Sequence, residues 1–268
     1  MNPFQTYLKS FHDPIRIGKV FVIDTVAIGA LFLIWYVFLQ ILTKLAYNMS
    51  GGKTIEDIKA QILLGSPEMQ QALLTSIKTF VLVSIIGTIV LIGLTLLLFS
   101  YSRLFLWKEL VHAKHKLGKW VALLLLLLVF LVVYVVIVIL LKYIVSLALG
   151  NISNTLFLIV NTLFNFSFML VGILFVNLAF YTFTHTAKIL ESVANTFHLI
   201  RTKWSILWKA FLLMLVTGII ISLLTSFITY LLYLQPTWIN SVVTILLFLL
   251  YLAWMRIYLV KTLHEQSV

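Results

Sequence analysis

The sequence contains no cysteine among its 268 residues, and it has only eight acidic residues and six histidines. The absence of cysteine excludes disulfides and thiolate metal sites, although it leaves the compartment undecided. Few acids and histidines also leave few groups that could act together as acid, base or metal ligand. The chain has no paired His-Glu zinc helix, nucleophile elbow, phosphate loop or Gly-rich dinucleotide turn. We therefore predict no catalytic, metal or cofactor site.

Charge is also scarce, since 10% of the residues are charged, 62% are apolar and the mean hydropathy is +1.12. This composition lies far outside the range of a soluble domain. A helix of about 20 residues crosses a hydrocarbon core about 30 Å thick, and five or six stretches reach that length. Residues 121–141 are apolar all round, which indicates helices rather than alternating barrel strands. We place spans at roughly 20–47, 78–100, 120–146, 154–183, 205–233 and 238–260.

The net charge of +11 comes from basic residues that flank the spans rather than forming a surface stripe, so no nucleic acid is expected as a partner. The connections 101–119 and 184–204 are basic, whereas 148–154 and 233–240 contain no charge. This asymmetry predicts a multi-pass protein of the cell membrane with both termini in the cytoplasm. Residues 1–19 lack a small-residue cleavage site, so we expect no removable signal peptide.

Three stretches that precede spans are alike. They read "HDPIRIGK" (12–19), "HAKHKLGK" (112–119) and "HLIRTKW" (198–204). Three stretches that follow spans also match, because "SYSR", "TFTH" and "AWMR" each give a small residue, an aromatic residue, any residue and a basic residue. We predict one integral membrane domain, 1–268, with an all-α polytopic fold of six transmembrane helices in three hairpins, about 1–103, 104–185 and 186–268. Inward loops attract the same residue types, so the pattern does not establish duplication.

Apolar residues at helical spacing precede each hairpin. These segments are predicted to be cytoplasmic amphipathic interface helices, with apolar sides at the headgroup boundary or under the bundle and with Lys and Arg stems reaching toward phosphates. The apolar stripes are Phe4, Tyr7, Leu8, Phe11 and Ile15; Leu104, Trp107, Leu110 and Val111; and Leu190, Val193, Phe197, Ile200, Trp204 and Trp208.

The segment 49–77 is the only sizeable one on the predicted outside. It mixes acids, amides and apolar residues, which predicts an amphipathic surface helix that stops near Gly65 and restarts after Pro67. A re-entrant or ligand-gating segment is the alternative. Two triplets on this side, beginning at Asn48 and Asn151, match glycosylation sequons, which are common by chance.

Asp24 is the strongest single polar candidate, because an acid within a span is costly. It lies five residues past Lys19, which is about 7.5 Å deeper along a helix and therefore interfacial. We favour pairing with a basic residue or with the Thr25 hydroxyl, which would lock the helices together, over a role in proton or ion coupling.

The fourth span carries a stripe of asparagines. Asn154, Asn161 and Asn165 lie within about 40° of one another on a helix. Such amides usually join helices, and a polar solute path is the alternative. Asn177 lies off the stripe. In the fifth span, Gly218, Ser222 and Ser226 recur every four residues, which predicts close packing, whereas the nearly pure Leu, Val and Ile third span offers nothing to bond a partner.

Lys and Arg beside Trp at a cytoplasmic interface suit the phosphate of an anionic lipid. The candidate headgroup contacts are Arg16, Lys19, Lys116, Lys119, Trp120, Arg201, Lys203 and Trp204. His112 and His115 could share a helix face, but an interfacial basic cluster is favoured there over a metal site, since no carboxylate supports the two imidazoles.

The layout of "HLIRTKWSILWKAFLLM" and "HKLGKWVALLLLL" resembles six-span prokaryotic membrane domains of uncharacterised type, one of which is attached to some glycerophosphodiester phosphodiesterases. The resemblance covers most of the chain in layout, but the catalytic domain of those proteins is absent here, so it implies no activity. We predict a non-catalytic structural, lipid-interacting or partner-organising component. A small transporter or permease-like subunit with a polar path near Asn161 and Asn165 is the alternative, and a lipid-modifying enzyme is third. The expected partners are membrane lipids, with anionic lipids and a membrane protein as candidates.

Overall fold

A computed structural model describes residues 3–50, 66–112, 116–148, 154–186, 188–232 and 236–264 of the chain. Within these ranges the backbone forms eight helices and no strand, which confirms the predicted all-α class. The helices are α1 (Pro3–Ser10), α2 (Pro14–Ser50), α3 (Pro67–Val111), α4 (Leu117–Ala148), α5 (Asn154–Thr186), α6 (Ile189–Thr202), α7 (Trp204–Leu231) and α8 (Thr237–His264).

Six of these helices are long and apolar enough to cross a membrane, which confirms the six predicted spans and makes the chain a multi-pass membrane protein. The spanning segments are Pro14–Tyr47, Gln70–Val111, Leu117–Leu147, Leu156–Thr186, Trp204–Leu231 and Thr237–His264. The helices are longer than the predicted spans, mainly at the ends that carry basic residues. The stripe at 104–111, predicted as a separate interface helix, is the continuous end of α3, with Trp107 and Leu110 buried.

Proline and a left-handed residue mark several helix ends. Pro3, Pro14 and Pro67 each occupy the first helical position, where the missing N–H costs nothing. The start of α3 at Pro67 is the predicted restart, and residues 51–65 and the side chains of both sequons lie outside the described part. His112 ends α3 with a φ of 54° and donates its N–H to the Lys108 carbonyl at 3.0 Å, as a helix C-terminus requires.

The chain divides into two compact units, 1–25 with 100–268, and 26–99. This division cuts α2 and α3 and does not follow the hairpin boundaries near 103 and 185, so the three-hairpin organisation stays a prediction. In the unit 26–99, the Trp35 indole donates to the Thr95 hydroxyl at 3.2 Å, and the Phe38 ring lies directly over Gly87. The absent side chain of Gly87 therefore allows that ring to approach.

The larger unit is densely packed at one end of its helices. We call this end, residues 3–24, 100–123, 177–210 and 251–264, the basic end, and its core side chains include Trp107, Trp120, Phe180, Phe183 and Tyr258. Beyond it the apolar side chains of α4, α5 and α7 are largely exposed. In the most apolar 18-residue stretch of α4, only 17% of the residues are buried. Exposed apolar helix surface of this kind faces lipid.

Two packing predictions need correction. Tyr134 in the third span does bond a partner, since its hydroxyl donates to the Phe168 carbonyl at 2.6 Å, and its ring lies against Gly172. Gly218 does permit close approach, but what approaches is side-chain atoms of Phe166 and Tyr251 rather than a backbone. Ser222 and Ser226 lie outside this contact and are exposed.

Candidate functional site

Asp24 lies at the centre of a buried polar cluster in the larger unit. One oxygen of its carboxylate accepts from Arg103 Nη2 and the other from Arg256 Nη1, and all three side chains are buried. Arg256 also donates through Nε to the Asn177 amide oxygen at 3.1 Å, while Asn177 Nδ2 donates to the Ile173 carbonyl at 2.8 Å. One carboxylate therefore joins α2 to α3 and α8, and Asn177 adds α5.

The members of this cluster lie at one level of the unit. Asp24 comes ten residues after the start of α2, while Arg103 and Arg256 each come eight residues before the end of their helices. At 1.5 Å per residue these positions lie about 12 to 15 Å from the helix ends. The carboxylate pairs with basic residues, whereas the Thr25 hydroxyl has no hydrogen-bond partner among the described residues.

The cluster combines two guanidinium groups with one carboxylate, so it carries one excess positive charge. Arginine remains charged in proteins, and removing the partner of a buried charge is costly. Each Asp24 oxygen accepts from one arginine, so the carboxylate charge is compensated within the cluster. The arrangement can hold four helices together, and nothing in its geometry resembles an acid–base pair.

Sequence reasoning identified Asp24 and flagged Asn177, but it missed Arg103 and Arg256 as partners. The available signal was the shared small-aromatic-x-basic pattern, which puts both arginines at equivalent places. The third member of that pattern, His185, is exposed, and its ring lies against that of Tyr181 with the two centroids 4.8 Å apart. The pattern therefore predicted the depth of the basic residues but not their convergence.

The structure does not bring Asn161 and Asn165 to the cluster. Asn165 is exposed and Asn161 is partly exposed. Asn165 lies 12 residues before Asn177 on α5, which corresponds to about 18 Å along the helix. The side chain of Asn154 lies outside the described part of the chain.

Helix α1 buries polar side chains and exposes apolar ones, which is the reverse of an amphipathic helix in a soluble protein. Thr6 and Ser10 are buried, whereas Phe4 and Leu8 are about half exposed, at 53% and 49%. The Ser10 hydroxyl accepts from the Trp254 indole at 2.8 Å, and the Tyr7 hydroxyl bonds that of Thr217 at 2.9 Å. The polar side of α1 therefore faces α7 and α8, and its apolar side faces outward.

Helix α6 repeats this arrangement. Ser192 and Thr196 are buried against α5, where the Thr182 hydroxyl donates to the Ser192 carbonyl at 2.8 Å and bonds the Thr196 hydroxyl at 2.9 Å. Leu190 and Phe197, by contrast, are 75% and 54% exposed. Of the predicted apolar stripe on this helix, Val193 alone is buried.

The predicted headgroup contacts fall into different environments. Arg16 donates to the Leu110 carbonyl at 2.6 Å, and Lys19 pairs with Glu109 at 2.7 Å, so both bind the end of α3. Trp120 is fully buried, with its ring 5.0 Å from that of Phe183, and the structure therefore does not place it at a headgroup. The remaining members are exposed or partly exposed: Lys116, Lys119, Arg201, Lys203 and Trp204.

Apolar grooves border α6. One, of about 280 Å³, is lined by α4, α5 and Phe197 of α6. A second, of about 150 Å³, lies among Phe175, Ile200, Trp204 and Trp208. Neither groove is lined by Asn161 or Asn165, so both are apolar surfaces rather than parts of a polar path.

The described ranges contain no set of three His, Asp or Glu side chains that could hold a metal ion. His115, one of the two histidines considered above, lies outside those ranges. No family model, curated protein or solved structure matches the chain.

Proposed function

We propose that this protein is a non-catalytic, lipid-interacting component of the cell membrane, with both termini and the basic end in the cytoplasm. The observation that carries the proposal is the outward apolar and inward polar arrangement of α1 and α6. In water, exposing Leu190 and Phe197 while burying Ser192 and Thr196 would be unfavourable. At the boundary between headgroups and acyl chains the same arrangement is favourable.

The distribution of charge supports this orientation. Exposed basic side chains accompany the outward apolar residues, with Lys188 and Arg201 on or beside α6 and Lys9 on α1. Cationic side chains next to apolar ones attract anionic lipid at the cytoplasmic leaflet, and basic connections are retained on that side. The buried cluster around Asp24 suits a structural role, because its charged groups bond one another.

The absence of cysteine allows a direct test of the lipid-facing surface. Single cysteines at Leu190 and Phe197 would carry a fluorescent label on the apolar side of α6, and cysteines at Glu191 and Asn195 would serve as matched controls on exposed polar positions. In liposomes we expect nitroxide-labelled lipid to quench the first pair and aqueous iodide to quench the second. Iodide quenching of all four labels, with no effect of the nitroxide lipid, would contradict the proposal.

A further inference from the structure

Asn165 places an amide on the exposed surface of a spanning helix. It lies nine residues after Leu156, where the spanning segment of α5 begins. That is about 14 Å along the helix, near the middle of a hydrocarbon core about 30 Å thick. The Asn165 side chain is exposed and forms no hydrogen bond within the described part of the chain. Acyl chains offer an amide neither a donor nor an acceptor, so its exposure to lipid alone is costly.

Two other polar side chains of α5 are bonded within the chain. The Thr162 hydroxyl, which is also exposed, donates to the Leu158 carbonyl at 2.8 Å. The amide oxygen of Asn177, which is buried, accepts from Arg256 at 3.1 Å. Asn165 has neither kind of contact, and a partner for its amide therefore has to come from another molecule.

Asn165 belongs to a row of exposed residues on one side of α5. We call this row the α5 seam, and it comprises Leu158, Thr162, Asn165 and Met169. Intervals of four, three and four residues keep its members within about 60° of one another around the helix. The same alternation of three and four lets two helices pack along each other. At the next position of this alternation, Gly172, the Tyr134 ring already lies against the helix, so the α5 seam extends over about three turns.

A second copy of the chain fits this seam. Basic connections insert every copy in the same direction, so two copies are related by a two-fold axis along the membrane normal. Under that symmetry the α5 helices run parallel, and the two Asn165 side chains meet at the same depth. An amide carries both donors and an acceptor, so the two side chains can bond each other reciprocally. The same helix of a second copy thus supplies what Asn165 lacks.

We propose that the protein forms a parallel dimer through the α5 seam, with the two Asn165 amides hydrogen-bonded to each other across the two-fold axis. Leu158, Thr162 and Met169 pack against their counterparts around this bond. A single polar residue in such a seam fixes the register of the two helices. The dimer contact lies on a spanning helix, away from the outward sides of α1 and α6, so it goes beyond the proposed function and does not depend on it.

Disulfide cross-linking tests the position of the seam, because the chain has no cysteine of its own. Leu158→Cys and Met169→Cys each place one cysteine on the α5 seam. Val160→Cys and Leu163→Cys are matched controls, because both residues are exposed but lie about 130° or more from the centre of the seam. In oxidised liposomes we expect intermolecular disulfides at the two seam positions and monomers at the two controls. Equal cross-linking at all four positions, or none at the seam, would overturn the proposal.

Energy transfer between labelled copies tests the amide itself. Trp238 is exposed at the start of α8, so Trp238→Cys can carry either a donor or an acceptor dye. In liposomes of decreasing protein content, we expect Asn165→Leu to weaken dimerisation about 3- to 30-fold, the range for an interhelical hydrogen bond in a membrane. Asn165→Gln keeps an amide and should retain most of the dimer. Thr162→Val is the matched control, because the hydroxyl that it removes is bonded within its own helix.

Two results of this measurement would overturn the proposal. The first is wild-type transfer no higher than that of randomly mixed monomers, which would leave the seam to lipid or to a different protein. The second is an equal dimer in Asn165→Leu and the wild type, or a loss in Thr162→Val as large as in Asn165→Leu, either of which would show that the amide does not join the helices. Thermal unfolding in detergent checks that each variant is folded.

Discussion

Asp24 and Arg256 form a buried ion pair although 232 residues separate them in the sequence. Arg103 pairs with the second oxygen of the same carboxylate, so three helices depend on one acidic side chain. Because Arg256 belongs to α8 and Asn177 to α5, the cluster also joins the helices on which α1 and α6 pack. The positions of α1 and α6 therefore depend on a buried polar contact.

Replacement of Asp24 by Asn should strongly destabilise the protein. Two buried guanidinium groups would lose their carboxylate, and breaking a buried pair in this way costs about 3 to 5 kcal/mol. We expect Asp24→Asn to lower the denaturant concentration at which the purified protein unfolds in detergent. Combining it with Arg256→Gln should cost less than the sum of the single changes, because the two residues interact directly.

The exposed pair between Lys188 and Glu191 provides the control for this prediction. Its side chains are 71% and 54% exposed, and such pairs contribute about 0 to 1 kcal/mol. Glu191→Gln should therefore unfold at nearly the wild-type denaturant concentration. Equal stability of Asp24→Asn and Glu191→Gln would show that the buried cluster is not a structural requirement.

Gly218→Ala should destabilise the contact of α7 with α5 and α8. A Cβ at this position would meet the Phe166 ring and lie 3.1 Å from the Tyr251 hydroxyl, which donates to the Met214 carbonyl at 2.8 Å. Overpacking of this kind costs about 1 to 3 kcal/mol. We expect a lower melting temperature in detergent, with partial recovery when Phe166→Leu is added.

Gly93→Ala is the matched control, because no heavy atom lies within 4 Å of a Cβ built there. Alanine favours a helix over glycine by about 1 kcal/mol, so this variant should be as stable as the wild type or more stable. A similar loss of stability in both variants would indicate that glycine itself, rather than the space beside Phe166, matters.

Much of the fold could be predicted from the sequence because it follows from local hydrophobicity. The six spans needed only runs of apolar residues, and Asp24 stood out because an acid in such a run is costly. The partners of Asp24 could not be predicted, since basic residues at hairpin ends have a sufficient local explanation in topology. Trp120 was misplaced for the same reason: a Trp beside Lys suits an interface, and only the packing of Phe180 and Phe183 shows that it is buried.

The periodicity of the sequence also could not predict which side of α1 and α6 contacts the protein. A helical stripe shows that apolar residues share a side, but it does not say whether that side meets protein or lipid. The buried hydroxyls of Thr6 and Thr196 decide the question, because they show that the polar side meets protein. In a membrane protein, the small polar residues can therefore mark the inner side of an interface helix.

Single-cysteine labelling should place the basic end and the opposite end on different sides of the membrane. Lys116 and Trp238 are both exposed. Lys116 directly precedes α4 at the basic end, and Trp238 is the second residue of α8, at the opposite end from Arg256. In intact cells we expect a membrane-impermeant maleimide to label Trp238→Cys, and to label Lys116→Cys only after permeabilisation, because basic segments stay inside. The cysteine-free parent gives the background, and labelling of Lys116→Cys in intact cells would reverse the proposed orientation.

Asn161→Leu should leave solute flux unchanged. A path along the asparagine stripe would require Asn161 and Asn165 to line a polar space, but neither lines the apolar grooves described above. Asn161 also lies 16 residues from Asn177, about 24 Å along α5, so the buried cluster does not continue toward it. We expect wild-type proteoliposomes and those with Asn161→Leu to show the same potassium, proton and glycerol permeation as protein-free vesicles. Thr162→Val, an exposed change off the stripe on the same helix, is the control. Wild-type flux above the protein-free level that Asn161→Leu abolishes and Thr162→Val retains would favour the transporter alternative over the function proposed here.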